Sequence, residues 1–223
     1  VKAASHPRAS IGAVIFDMDG VLIDSEPAWE QARKSPFLES NLPYPPETTQ
    51  AIMGMNSVEW SRYLHEHGVP LPEPKIVEEV LARVAASLRE DLRLMPRAVH
   101  VVRTLAQRWP LGIGSSADRA IIELALELAG LRDAYAVVVS SADVPRGKPA
   151  PDTYLRAAEL LGVAPERCAV VEDSANGIRS GRAAGMRVIA IPNQHFPPAP
   201  EALALAAVTL RSLEQLTPEV VAG

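Results

Sequence analysis

Four times along this chain a short apolar, β-branched run breaks into a polar turn: at Ile15-Phe16-Asp17-Met18-Asp19-Gly20, Gly114-Ser115-Ser116, Gly147-Lys148-Pro149 and Val171-Glu172-Asp173-Ser174. From residue 94 onward such runs alternate with helix-length segments. The pattern predicts helices over 96–108, 118–129, 152–161 and 175–184, and strands over 111–114, 136–139, 168–171 and 187–191. Strands alternating with helices of this length make a parallel sheet covered on both faces, so the fold class is α/β, a doubly wound parallel sheet. In such sheets ligands sit beyond the carboxyl ends of the strands, where strand order reverses. Asp17, Ser115, Lys148, Glu172 and Asp173 all follow strand ends, and the topology gathers them into one pocket.

The first segment carries the most chemistry. Val14, Ile15 and Phe16 close a run that begins at Ile11, so Asp17 stands where the strand ends and the chain turns through Gly20. Two carboxylates at i and i+2 on extended backbone point the same way. One can attack while the other moves a proton, and a divalent cation between them can hold down their repulsion. Ser115 or Lys148 alone reads as an ordinary polar turn. Glu172-Asp173 alone reads as an acidic pair favoured by a helix dipole.

The sequence DMDGVLIDSE resembles the opening motif of the haloacid dehalogenase-like phosphohydrolases, in the branch of the β-phosphoglucomutases, and within it the hexitol and 2-deoxyglucose 6-phosphate phosphatases. Ser115 falls at that family's second motif, Lys148 in GKPAPDTY at its third, and Glu172-Asp173 in VVEDSANGI at its fourth. The resemblance spans residues 11–216. It implies an α/β core at 11–26 and 93–223 with an inserted helical cap domain at 27–92, in which 57–67 and 76–88 read as helices. It implies Asp17 as nucleophile, forming an aspartyl phosphate, and Asp19 as the acid and base that protonates the leaving group and then activates water. Magnesium is the implied cofactor, held by Asp17, the backbone carbonyl of Asp19, Asp173, and Glu172 directly or through water. Lys148 and Ser115 would bind the phosphoryl oxygens, with Ser116 contributing its backbone amide. Asp24 and Ser25 would brace the turn into the cap.

Composition narrows the partners. A net charge of −5 with no basic stripe speaks against nucleic acid, so an anionic small metabolite is drawn by local charge, from Lys148, Arg119, Arg146 and a metal. No apolar run approaches the ~20 residues that cross a bilayer. Residues 1–10 lack the apolar stretch of a signal peptide and read as a disordered leader. A cytoplasmic monomer is the expectation. Cys168 opens a β run and reads as a buried structural thiol. His65, His67 and His195 read as solvated residues, Trp60 as cap core, and Trp29 as either core or pocket wall.

Three activities compete. Dehalogenases of this family work without magnesium and do not keep an acid at the place of Asp19. A binding module without catalysis would have lost one of Asp17, Asp19, Lys148 or Asp173, and all are present. A phosphosugar mutase is the alternative, but Trp29 and Ser57 stand where the resemblance implies a histidine and an arginine that grips a second phosphate. The expected activity is hydrolysis of a small phosphomonoester, sugar or polyol phosphate favoured. Arg97 departs from the family's glycine after Pro96, at a place that suggests a tight turn.

Overall fold

A computed structural model of the chain describes residues 10–52, 54–194 and 196–223. The leader, apart from Ser10, and His195 lie outside the described residues. The centre of the fold is a six-stranded parallel sheet in the order β3-β2-β1-β4-β5-β6, made of β1 (Ala13–Phe16), β2 (Leu111–Ser115), β3 (Val137–Ser140), β4 (Cys168–Glu172), β5 (Arg187–Ala190) and β6 (Val208–Thr209). All four residues of β1 are fully buried, as an apolar run covered on both faces requires. Strand order reverses at β1, which pairs with β2 on one side and β4 on the other. The carboxyl ends of those three strands therefore border one crevice.

Helices α5 (Ala98–Ala106), α6 (Arg119–Leu128), α7 (Asp152–Leu161) and α8 (Ala175–Ala183) link the strands, and short α9 (Pro200–Leu203) and α10 (Pro218–Ala222) complete the core. Gly114 in β2 leaves no room for a methyl group, since a Cβ there would lie 2.9 Å from the Tyr154 ring. This close approach seats α7 on the sheet. Cys168 is buried with its thiol against the Val163 and Ala164 carbonyls, and burial pushes it up to about 11. Burial and a raised pKa both keep the reactive thiolate scarce there.

Between β1 and α5 the described residues form four helices: α1 (Glu26–Glu39), α2 (Thr48–Ile52), α3 (Ser57–Glu66) and α4 (Glu73–Glu90). Both α1 and α3 pack on α4. The incoming and outgoing chains run side by side, with Asp24 N–H donating to the Arg93 carbonyl (2.8 Å) and Met95 N–H to the Leu22 carbonyl (2.9 Å). Helix α4 starts three residues before the expected 76, because Pro74 sits in its first turn, where a missing N–H costs nothing. Helices α1 and α2 are absent from the sequence reading. The buried face of α1 is Trp29, Ala32, Arg33, Pro36 and Phe37, a helical spacing whose apolar stripe is interrupted by a cation and a proline. Strand β6 has too few residues to show a period. No helix among the described residues is long and apolar enough to cross a membrane.

The doubtful turn at Arg97 is strained. Its φ of 60° puts a side chain in the left-handed region, directly before α5. That conformation costs an L residue about 1–2 kcal/mol, partly offset by the freedom glycine gains in the unfolded chain. Arg97→Gly is expected to stabilise the fold by up to about 1 kcal/mol, raising Tm by roughly 2–4 °C in a thermal melt.

Candidate active site

The crevice at the strand ends is filled with carboxylates. Asp17 leaves β1 with its N–H bonded to the Val171 carbonyl (2.9 Å), which fixes the backbone, and its side chain is buried. The chain then bends through Gly20 at φ 74°, and a Cβ there would lie 1.9 Å from an Asp173 oxygen. Only glycine lets this turn pass beside a second carboxylate. Asp19 projects from the same turn. Ser25 Oγ and Trp29 Nε1 (3.2 Å) both donate to its Oδ1, while Ser115 Oγ stands 3.4 Å from its Oδ2. Ser25 thus braces Asp19 itself, and Trp29 is a pocket wall as well as part of the core.

Lys148 Nζ lies 3.1 Å from Asp17 Oδ1 and 2.7 Å from Glu172 Oε1. Burial pulls an ammonium down, but the two carboxylates outweigh it and push Lys148 up to about 12. Glu172 is fully buried and saturated. Its Oε1 also accepts from the Tyr154 hydroxyl (2.7 Å), and its Oε2 accepts from the Asp173 and Ser174 N–H groups and from Ser174 Oγ. Gly177 makes room for it, since a Cβ there would fall 1.6 Å from Glu172 Oε1. Asp173 accepts from Asn193 Nδ2 (2.8 Å).

One ammonium does not neutralise three carboxylates. Burial pushes Asp17 up to about 7 from its usual 3.8, with Glu172 and Asp19 adding to the rise and Lys148 opposing it. Burial likewise raises Asp173 well above the carboxylate range, reinforced by Glu172 and Asp17. Oxygens of Asp17, Glu172 and Asp173 lie within 4.8 Å of one another. A hard divalent cation fits this donor set, because it takes oxygen ligands and supplies the missing charge. Asp17 and Asp173 have the capacity to ligate it. The oxygens of Glu172 are already committed to protein donors.

Asp17, Asp19, Ser115, Lys148, Glu172 and Asp173 come together in the structure. Ser116 lines the same cleft, but its hydroxyl donates to the Gly54 carbonyl (3.0 Å) across the crevice. Arg119 and Arg146 do not join the site: they are tied to Asp143 (2.6 Å) and Asp152 (3.0 Å) on the exposed surface. Their nearness in sequence to Ser115 and Lys148 does not survive the turn that follows each strand. The sequence reading missed Tyr154, Asn193 and Arg33. Tyr154 closes the quoted GKPAPDTY run and Asn193 follows a strand end, so both carried a positional signal. The cleft encloses about 70 Å³ and is walled on the far side by Glu26, Trp29, Arg33, Met55 and Trp60.

Residues 11–185 match the family model of the haloacid dehalogenase-like hydrolases. The chain is 34% identical to hexitol phosphatase B of Escherichia coli, covering 98% of this chain and 100% of that protein. It is 33% identical to the fructose-1-phosphate phosphatase YqaB of Escherichia coli, over 79% of this chain and 94% of that one. Among solved structures it resembles CbbY of Rhodobacter sphaeroides in complex with phosphate, with a TM-score of 0.83, 26% identity, and coverage of 92% of this chain and 96% of that one.

The buried charge sets a pH dependence. Asp17 titrates near 3.8 when unfolded and near 7 when folded, so between these values the folded chain holds the extra proton. Without a cation, stability therefore falls as pH rises through that window. Millimolar magnesium chloride is expected to raise Tm by roughly 5–10 °C at about pH 8 and by less than about 2 °C at about pH 5, read by differential scanning fluorimetry.

Proposed function

The chain belongs to the haloacid dehalogenase-like hydrolases, and from that premise we propose that it is a magnesium-dependent phosphatase that hydrolyses a small phosphomonoester, sugar or polyol phosphate favoured, through an aspartyl-phosphate intermediate. It is a phosphoric monoester hydrolase. The observation that carries the mechanism is the pairing of a buried Asp17 with Lys148 at the floor of a cleft, with Asp19 beside it.

A phosphoryl group in the cleft has its oxygens held by Lys148 and by the Ser115 hydroxyl, which spreads the charge of the transition state over fixed donors. An Asp17 oxygen attacks phosphorus, forming the new P–O bond as the ester P–O bond breaks in line. Asp19 gives its proton to the departing alkoxide. It then takes a proton from water, whose oxygen attacks the same phosphorus and releases Asp17 and inorganic phosphate. Ser25 and Trp29 hold the Asp19 carboxylate for both transfers. Magnesium, when bound, offsets charge on the phosphoryl oxygens and the carboxylates. Asp17, Asp173 and the Asp19 carbonyl would hold it, with Glu172 acting through water because its own oxygens are occupied.

Two contacts favour hydrolysis over a mutase. Trp29 Nε1 is a donor with no acceptor lone pair, so it cannot pass protons as a histidine in that place would. Ser57, standing where the resemblance implies an arginine, donates instead to Asp118 on the core side and brings no cation at that position.

Asp17→Asn is expected to lower phosphate release by about a thousandfold or more, and Asp19→Asn by about 10²–10⁴-fold, against sorbitol 6-phosphate and related esters with magnesium present. Conversion of glucose 1-phosphate to glucose 6-phosphate with a bisphosphate primer, and no release from any ester, would replace this reading by the mutase.

A further inference from the structure

Among the described residues two cations are buried, Lys148 and Arg33. Lys148 has its two carboxylates. Arg33, on the buried face of α1, makes no hydrogen bond or ion pair with any described residue, and its Nε is wholly enclosed. Its guanidinium carbon lies 4.7 Å from the Trp29 ring centre and 5.6 Å from that of Trp60. The two indole rings flank the cation and favour its charge, but they offer no acceptor for its N–H groups. Desolvation by burial lowers its pKa, and Glu26, Tyr44 and Asp19 oppose that through space without outweighing it. The guanidinium lines the same cleft as Asp17, Asp19 and Lys148.

A guanidinium held between aromatic walls, with its Nε enclosed and without an acceptor, is costly to the free protein. The group that repays it is planar or tetrahedral, anionic and rich in oxygen, because such a group takes two of the N–H bonds at once. A neutral hydroxyl supplies neither the charge nor the second bond.

We propose that Arg33 is a substrate-binding residue that receives a second anion, a carboxylate or a further phosphate, on the part of the substrate that leaves, so that among small phosphomonoesters those carrying a second anion bind more tightly than their neutral counterparts. This rests on the phosphatase reading for the position of the first phosphate against Lys148. It narrows the substrate class by charge: Lys148 reads the group transferred and Arg33 the group released.

The test measures binding apart from turnover, by calorimetry on the full chain carrying Asp17→Asn, with magnesium present. Three matched pairs differ only in the second anion: 6-phosphogluconate with sorbitol 6-phosphate, 2-phosphoglycolate with 2-hydroxyethyl phosphate, and fructose 1,6-bisphosphate with fructose 1-phosphate. In at least one pair the anionic member is expected to bind about tenfold more tightly or better, and the pair that responds tells carboxylate from phosphate. Adding Arg33→Met, which keeps an unbranched chain between the indoles, should bring that ratio within about twofold of one. Arg33→Lys keeps the charge but loses the fork, and should cut the preference at least about threefold. Equal affinity in all three pairs, or a preference that survives both substitutions, overturns the proposal. If the preference stands and Arg33 carries it, yet the unsubstituted enzyme hydrolyses none of the six compounds, the anion site holds and the phosphatase reading fails.

Discussion

Everything in the crevice depends on one ammonium shared by two carboxylates. Lys148 reaches Asp17 with one contact and Glu172 with another, and Glu172 is in turn fixed by Tyr154, by two backbone N–H groups and by Ser174. A lysine on a loop would otherwise sample many rotamers. Here it is clamped from behind, so the free face of its charge is directed into the cleft. The sheet supplies the clamp, because β1 and β4 are paired neighbours and Asp17 and Glu172 stand at their carboxyl ends.

The same clamp leaves a surplus of negative charge, and the two halves of the molecule answer it differently. On the core side the surplus lies on Asp17 and Asp173 and calls for a metal. On the α1 side there is a buried guanidinium whose Nε has no hydrogen-bond acceptor. A substrate with an anion at each end lies along this gradient, its transferred phosphate toward Lys148 and its second group toward Arg33.

Much of this was legible in the chain. The central strands are unbroken apolar runs, and an unbroken run is the signature of a strand covered on both faces, so β1, β2 and β4 and the residues at their ends could be read directly. What the sequence hid was hidden for physical reasons. Helix α1 buries Arg33 and Pro36 on its inner face, and a pattern reader that expects apolar residues there finds no helix. Arg119 and Arg146 looked like site cations only because they are close in sequence to motif residues, whereas the turns carry them to surface ion pairs. The resemblance implied Glu172 as a metal ligand, directly or through water. Its donors come from four different residues, two of them through backbone N–H groups, and no sequence pattern reports how many lone pairs remain.

One oxygen of Asp19 accepts from both Ser25, immediately before α1, and Trp29, in its first turn. The root of that helix and the carboxylate are therefore coupled as a lever is to its fulcrum. Any swing of α1 about its entry point lengthens one of these bonds or turns the carboxylate with it. In the proposed mechanism, the position of α1 over the cleft and the aim of the Asp19 carboxylate are then linked through these two bonds.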